Sequence, residues 1–293
     1  MPALAKVLSV VFPVFCIIGL GYLFARFKTI SLEPIIEVLL YLTIPALVIS
    51  SLSQKEIRPG ELFLISAAAL GVVVCTGLAS LAYLTITGRR DMRGFYLTTM
   101  FMNSANIPFP IALLAFGRDG LAVAVLYYIA ISVLVYSIGI YIAKGSGGYA
   151  EIFRLPLIYA AVIGVGLNLM HIRLPGTVLT TMDMLGAATI PLMQISLGYR
   201  LSSTRLSHLG TSLAASVIRI GGGLLAGYAM VTLLGLEGVS RSVVLLTSAM
   251  PSAVINFVMS HRYKVQSELV ASTVALSTVM SIATVPLILM WLM

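Results

Sequence analysis

The stretch Thr98–Leu113, TTMFMNSANIPFPIAL, decides the fold, because it places Asn103, Ser104, Asn106, Pro108 and Pro110 in the middle of an apolar run. Two prolines remove backbone donors and clash with the preceding turn, and two asparagines carry amides to hydrocarbon depth, so a spanning helix breaks here. A broken helix exposes polar backbone, which lipid tolerates only where the break is buried in protein or lines a watery cavity. Far downstream, Thr247–Phe257, TSAMPSAVINF, repeats the pattern, with Ser248, Pro251, Ser252 and Asn256 inside an apolar segment. Two interrupted helices at corresponding positions point to a transporter's binding site.

The surrounding chain fits a membrane setting. Its 293 residues are 59% hydrophobic and only 10% charged, more apolar surface than a soluble domain of that length can hide. The net charge of +8 comes from Lys and Arg scattered through short loops rather than gathered in a patch, which argues against nucleic acid and for topology signals. Cys16 and Cys75 each sit inside an apolar run and read as packed thiols. The first apolar run follows Lys6 and lacks a cleavage-site pattern, so it reads as a helix rather than a signal peptide.

Apolar runs of about 20 residues give ten expected spans, at 7–25, 32–52, 61–87, 93–117, 119–143, 154–171, 178–199, 209–234, 238–260 and 266–292. The expected fold class is therefore all-α, a membrane protein of ten transmembrane helices. The glycine-rich loop AKGSGGYAEIFR at 143–154 divides it into residues 1–143, a linker 144–153, and residues 154–293. Loops after the odd-numbered spans hold Arg26, Lys28, Arg89, Arg90, Arg93, Lys144, Arg154, Arg200, Arg205, Arg262 and Lys264, against Lys6, Lys55, Arg58, Arg118, Arg173 and Arg241 on the other side. The richer side is expected to be cytoplasmic, which places both termini on the extracytoplasmic face of the cell (inner) membrane.

The two halves resemble each other. Ile18-Gly19-Leu20-Gly21 matches Ile163-Gly164-Val165-Gly166 at an offset of 145, and Thr43-Ile44-Pro45 matches Thr189-Ile190-Pro191 at 146, which aligns Glu37 with Asp183. Arg93 matches Arg241 and Ser104-Ala105 matches Ser252-Ala253, both at 148. Matches in chain order with a slowly drifting offset argue for a five-helix repeat. An odd number of helices per repeat makes the two halves insert in opposite orientations.

Candidate binding residues are Asn103, Ser104, Asn106, Pro108, Pro251, Ser252 and Asn256 at the two breaks. Half-helix N-termini there offer N–H groups and positive dipole ends, which suits an anion, while unwound carbonyls offer acceptors. The Thr-Ile-Pro motifs read as bends, in which a threonine repairs the bond that proline removes, with Gln194 one turn on as a further substrate contact. Arg219, in AASVIRIGGG, falls near the middle of the eighth span and needs a carboxylate, carbonyls or water. Glu37 and Asp183 fall near span ends, as interfacial acids or as buried charges that pair with Arg219 for structure or proton coupling. His171, His208 and His261 are scattered without metal spacing, no catalytic set converges, and Gly71 and Gly221–Gly223 read as packing positions.

The segments RGFYLTTMFMNSANIPFPIALLAFG (93–117) and SAMPSAVINFVMSHRYKVQSELVASTVALSTVMSIATVPLIL (248–289) resemble the auxin efflux carrier family, specifically its bacterial and archaeal members. The resemblance runs the whole length. It implies two inverted five-helix repeats of the kind seen in bile acid:sodium symporters, with broken helices 4 and 9 crossing in a transport domain of helices 3, 4, 5, 8, 9 and 10. Helices 1, 2, 6 and 7 would then form a scaffold, through which a second copy of the chain is expected to pair. The chain departs from plant members in lacking their long loop between helices 5 and 6, and in reading Asn-Ile-Pro-Phe-Pro for their Asn-Pro-Asn. The expected function is secondary transport of small organic anions such as carboxylates by elevator-type alternating access, with no cofactor and with Na+ or H+ coupling left open. A coupled symporter of bile-acid type is the nearest alternative, and a membrane sensor or intramembrane enzyme lies further off.

Overall fold

The computed structural model describes residues 2–55, 59–145 and 149–293. Arg58, assigned above to the less basic side, and residues 146–148 of the linker lie outside them. All regular structure in the described residues is helical except for a single isolated bridge.

Helix α1 (Pro2–Phe27) is followed by α2 (Glu33–Val38), which passes through a π turn at Leu39–Thr43 into α3 (Ile44–Gln54). Then come α4 (Pro59–Ile86), α5 (Arg93–Met100) and α6 (Pro108–Leu134), which runs through a second π turn at Val135–Gly139 into α7 (Ile140–Lys144). The second half begins with α8 (Tyr149–Ile152), α9 (Pro156–Leu169) and α10 (Gly176–Ser202). A third π turn, Ile218–Gly222, joins α11 (Leu209–Val217) to α12 (Gly223–Leu233), and α13 (Gly238–Ser248), α14 (Val254–Arg262) and α15 (Ser267–Leu292) complete the chain.

Among the described residues, seven helical stretches are long and apolar enough to cross a membrane. One of these, Pro108–Lys144, would measure about 55 Å at ~1.5 Å per residue, nearly twice the ~30 Å of a hydrocarbon core. Gly117 divides it: its φ of 71° and ψ of −162° interrupt the helix, a conformation that glycine alone adopts without strain. Residues 108–116 are thus a half-helix paired in sequence with α5.

Proline alone does not break these helices, since Pro13, Pro191 and Pro286 lie inside continuous ones. Pro108 and Pro110 instead occupy the first turn of α6, where the missing N–H has no intrahelical acceptor to lose. The Thr-Ile-Pro motifs differ between the halves: Pro45 follows a π turn, whereas Pro191 sits mid-helix. The threonine hydroxyls of both, at Thr43 and Thr189, are buried without a hydrogen-bond partner, so they do not make the expected repair.

The helices pack in two groups. Helix α1 lies along α10, and α3 packs on α9 and α10, while α4, α5, α6, α12, α13, α14 and α15 pack among themselves with α11. The groups meet where α1 touches α6 and α15 and where α3 and α9 touch α6. The approach of α1 to α10 is set by Gly21 and Gly198, because a Cβ at either would collide with the facing backbone, at Ile195 and Ile18 respectively. Gly198→Ala should therefore force the two helices apart and lower stability by about 1–3 kcal/mol. Gly166→Ala, with no neighbour within 4 Å of the new methyl, should be neutral or mildly stabilising in the same thermal melts in detergent.

Candidate site at the helix crossover

Helix α5 ends at Met100 and α13 at Ser248, and the unwound segments after them, 101–107 and 249–253, run antiparallel past each other. The Asn103 N–H donates to the Pro251 carbonyl at 2.7 Å, and the Ala253 N–H to the Phe101 carbonyl at 3.1 Å, which makes a two-bond bridge centred on Met102 and Ser252. The Asn256 amide donates to the Phe101 carbonyl at 2.8 Å and to the Ser252 hydroxyl at 3.0 Å. Ser277 of α15 accepts from the Ser252 N–H at 3.1 Å. Backbone that a broken helix leaves unpaired is thus re-paired across the break by its counterpart and by side chains, as a low-dielectric setting requires.

The helix ends entering this bridge are held by Arg219. Its side chain is fully buried, and its guanidinium donates to the carbonyls of Thr99 (2.5 Å), Met100 (3.0 Å) and Ser248 (2.7 Å). These carbonyls are the negative ends of two helix dipoles, so the cation and three acceptors meet without a carboxylate. Of the carboxylate, carbonyl and water partners that the sequence leaves open for Arg219, carbonyls are the ones it meets, and neither Glu37 nor Asp183 pairs with it. Gly223 makes the geometry possible, because a Cβ there would strike both the guanidinium and the Ser248 carbonyl.

A cavity of about 210 Å³ opens beside the bridge. Its polar wall is Asn103, Ser104 and Asn106 from the first break together with Ala253–Ile255 at the start of α14. Leu39 and Leu40 of the first π turn, Val135 and Tyr136 of the second, and Met193, Ser196, Leu197 and Arg200 of α10 close the remainder. Asn103 accepts the Asn106 N–H at 3.0 Å, which leaves its own buried NH₂ group unpartnered. The cavity lies between the two groups of helices, drawing on both.

The other sequence candidates sit elsewhere. Pro251, Ser252 and Asn256 are buried in the bridge, where they hold backbone and do not line the cavity. Pro108 starts α6 behind it, and Gln194 is fully buried in α10 with both amide atoms unpartnered. Glu37 is exposed, because α2 begins only one turn earlier at Glu33, so it is not a buried charge. Asp183 is half-buried and accepts from Ser50 and, at 3.2 Å, from Gln54 rather than from Arg219. Reading the sequence also missed Tyr128, Ser132, Tyr136, Ser196 and Arg200, all on the cavity wall. The spacing of Met193, Ser196, Leu197 and Arg200, at i, i+3, i+4 and i+7, was the available signal for one shared helix face.

Paired breaks that enclose a cavity within a multi-pass helical protein are the arrangement of a transporter's binding site. The chain belongs to the membrane transport protein family, that of the auxin efflux carriers, whose model matches residues 6–154 and 149–289. It is 24% identical to an uncharacterized transporter of Methanocaldococcus jannaschii, over 96% of this chain and 97% of the relative. It is 30% identical to an uncharacterized transporter of Methanothermobacter thermautotrophicus, over 86% of each chain.

Replacing Arg219 with leucine should strand three buried carbonyls and lower stability by about 3 kcal/mol or more, since an unsatisfied buried group costs about 1–3 kcal/mol. Lysine, a point charge without the planar fork, should fall between the two. Thermal melts and folded yield in detergent check both, and a leucine variant as stable as the parent would contradict the clamp.

Proposed function

We propose that this protein is a secondary active carrier of small organic anions such as carboxylates, with its binding site in the crossover cavity. The observation that carries the reading is the cavity's position: it joins two unwound, cross-paired segments to the facing helices of a second group. In this reading the ten helical stretches form two inverted five-helix repeats. Spans 1, 2, 6 and 7 make a scaffold that pairs with a second copy, and the remaining six move across it as an elevator. Both termini are extracytoplasmic. The α14 N-terminus and the Asn and Ser side chains present donors to an anion, while the leucine and valine wall accepts its apolar part.

Alternating access requires one end of the group boundary to be shut while the other is open. Arg118 of α6 donates to Gln54 of α3 at 2.5 Å, and Gln54 donates in turn to Asp183 of α10, which links the two groups. Asp183 and Arg200 stand at opposite ends of α10, about 25 Å apart at ~1.5 Å rise per residue. The polar link therefore bridges one end of the boundary, beside a further cavity of about 520 Å³, while the crossover cavity reaches toward the other, where the basic cytoplasmic loops are expected.

A thermal-shift screen of the purified protein against organic acids, with and without sodium, tests the function, since a ligand at 100 times its dissociation constant adds about 2.7 kcal/mol. Asn106→Ala should abolish the stabilisation and leave the ligand-free melting temperature near the parent's. Asn256→Ala should show the reverse, losing about 1–3 kcal/mol of stability while keeping affinity. A screen in which no organic acid acts, or an Asn106→Ala protein that responds like the parent, would overturn the proposal.

A further inference from the structure

Arg200 borders two spaces at once. It lines the crossover cavity, and it also lines a neighbouring vestibule of about 540 Å³ that is walled by the segment after α10 and by α14 and α15. The side chain is half-buried, yet its guanidinium has no hydrogen-bond acceptor or carboxylate among the described residues. Arg219 binds carbonyls, Arg118 binds Gln54, Arg89 binds Thr211 and Arg90 binds Thr85, whereas Arg205, which shares the vestibule wall with Arg200, is exposed. Five donors in a planar fork, partly withdrawn from water and unmatched, carry a desolvation cost that an anion in the cavity would offset.

Two bland explanations do not account for this placement. An arginine that snorkels to lipid headgroups lies on the outer face of a bundle rather than against two internal spaces. A structural ion pair needs an acid, and none lines the crossover cavity. The vestibule has one, Glu268, which is exposed and not paired with Arg200. Arg200 is thus the one full charge on the cavity wall formed by the described residues, and everything facing it there is neutral.

We infer that Arg200 reads the charge of the transported molecule: its guanidinium takes the anionic group at the neck between vestibule and crossover, and so decides that acids enter and their neutral analogues do not. This rests on the carrier reading above and adds to it the residue that discriminates. The crossover donors of Asn103, Ser104 and Asn106 then orient the group without selecting its charge, because neutral amides and hydroxyls bind acids and amides alike.

The test is binding of matched acid and amide pairs to the purified full-length chain: benzoate beside benzamide, hexanoate beside hexanamide, and cyclohexanecarboxylate beside its amide. In the parent, at least one acid should bind about tenfold or more tighter than its amide, the worth of a charge-assisted hydrogen bond. R200Q should bring that ratio to within about twofold of unity by weakening the acid alone, at an unchanged ligand-free melting temperature, a pattern that a merely structural residue would not give. If R200Q does not fold, R200K decides. Loss of the fork should weaken the acid several-fold and spare the amide, whereas an unchanged acid, or acid and amide weakened alike, would overturn the assignment. A parent-like ratio in folded R200Q overturns the role of Arg200 and leaves the carrier reading standing. Failure of every acid to bind the parent overturns the carrier reading, and the assignment falls with it.

Discussion

Two helices that stop in the middle of a membrane leave carbonyls that hydrocarbon cannot satisfy, and the rest of this structure depends on how that debt is met. Arg219 answers it from a third helix, placing one cation against the C-terminal ends of α5 and α13. The bond set ties the two stops to each other, so the segments beyond them emerge close enough to pair as antiparallel backbone. With the negative ends of the half-helices engaged by Arg219, the N-terminal end of α14 is turned toward the cavity. The side chain at the centre of the crossover is therefore a fastener for the site and does not line it.

Much of this architecture was legible in the sequence. Asparagine and proline together marked both breaks, and outside them the apolar stretches of the described residues are mostly helical, because helix at this depth is the default for a chain that cannot leave backbone unpaired. Which side chain faces which neighbour was not legible. Asn106 borders the cavity and Asn256 is spent on the Phe101 carbonyl, although both sit beside a break in similar company. The difference arises from the register of the antiparallel pairing, a long-range fact that local pattern does not encode. Arg200 was hidden for another reason: at a helix end it looked like one more loop cation, and only the packing of α10 against the crossover turns it inward.

The division into two groups of helices gives the cavity its character. One wall is backbone and amide from the crossover, rigid because each element is fixed by a bond to its counterpart. The other is largely aliphatic side chain from α10 and the stretch around the first π turn, which makes van der Waals contact, with Ser196 and Arg200 among it. The boundary is polar at one end, through Arg118, Gln54 and Asp183, and mostly apolar beside the cavity.

The three π turns bear on how such a cavity can change. Each wide turn fits one more residue into the helix than an α turn would, which rotates everything beyond it by about 100° relative to an uninterrupted α-helix. Two of them, at Leu39–Thr43 and Val135–Gly139, supply cavity wall directly, and the third, Ile218–Gly222, carries Arg219. Removing one residue from either of the first two would let the helix close into regular α geometry, so that the residues on both sides keep their facing and only the widened turn, with the side chains it gives to the wall, is lost. A one-residue deletion there would thus reshape the cavity at the turn alone, at Leu39 and Leu40 or at Val135 and Tyr136, with the flanking helix faces left as they are.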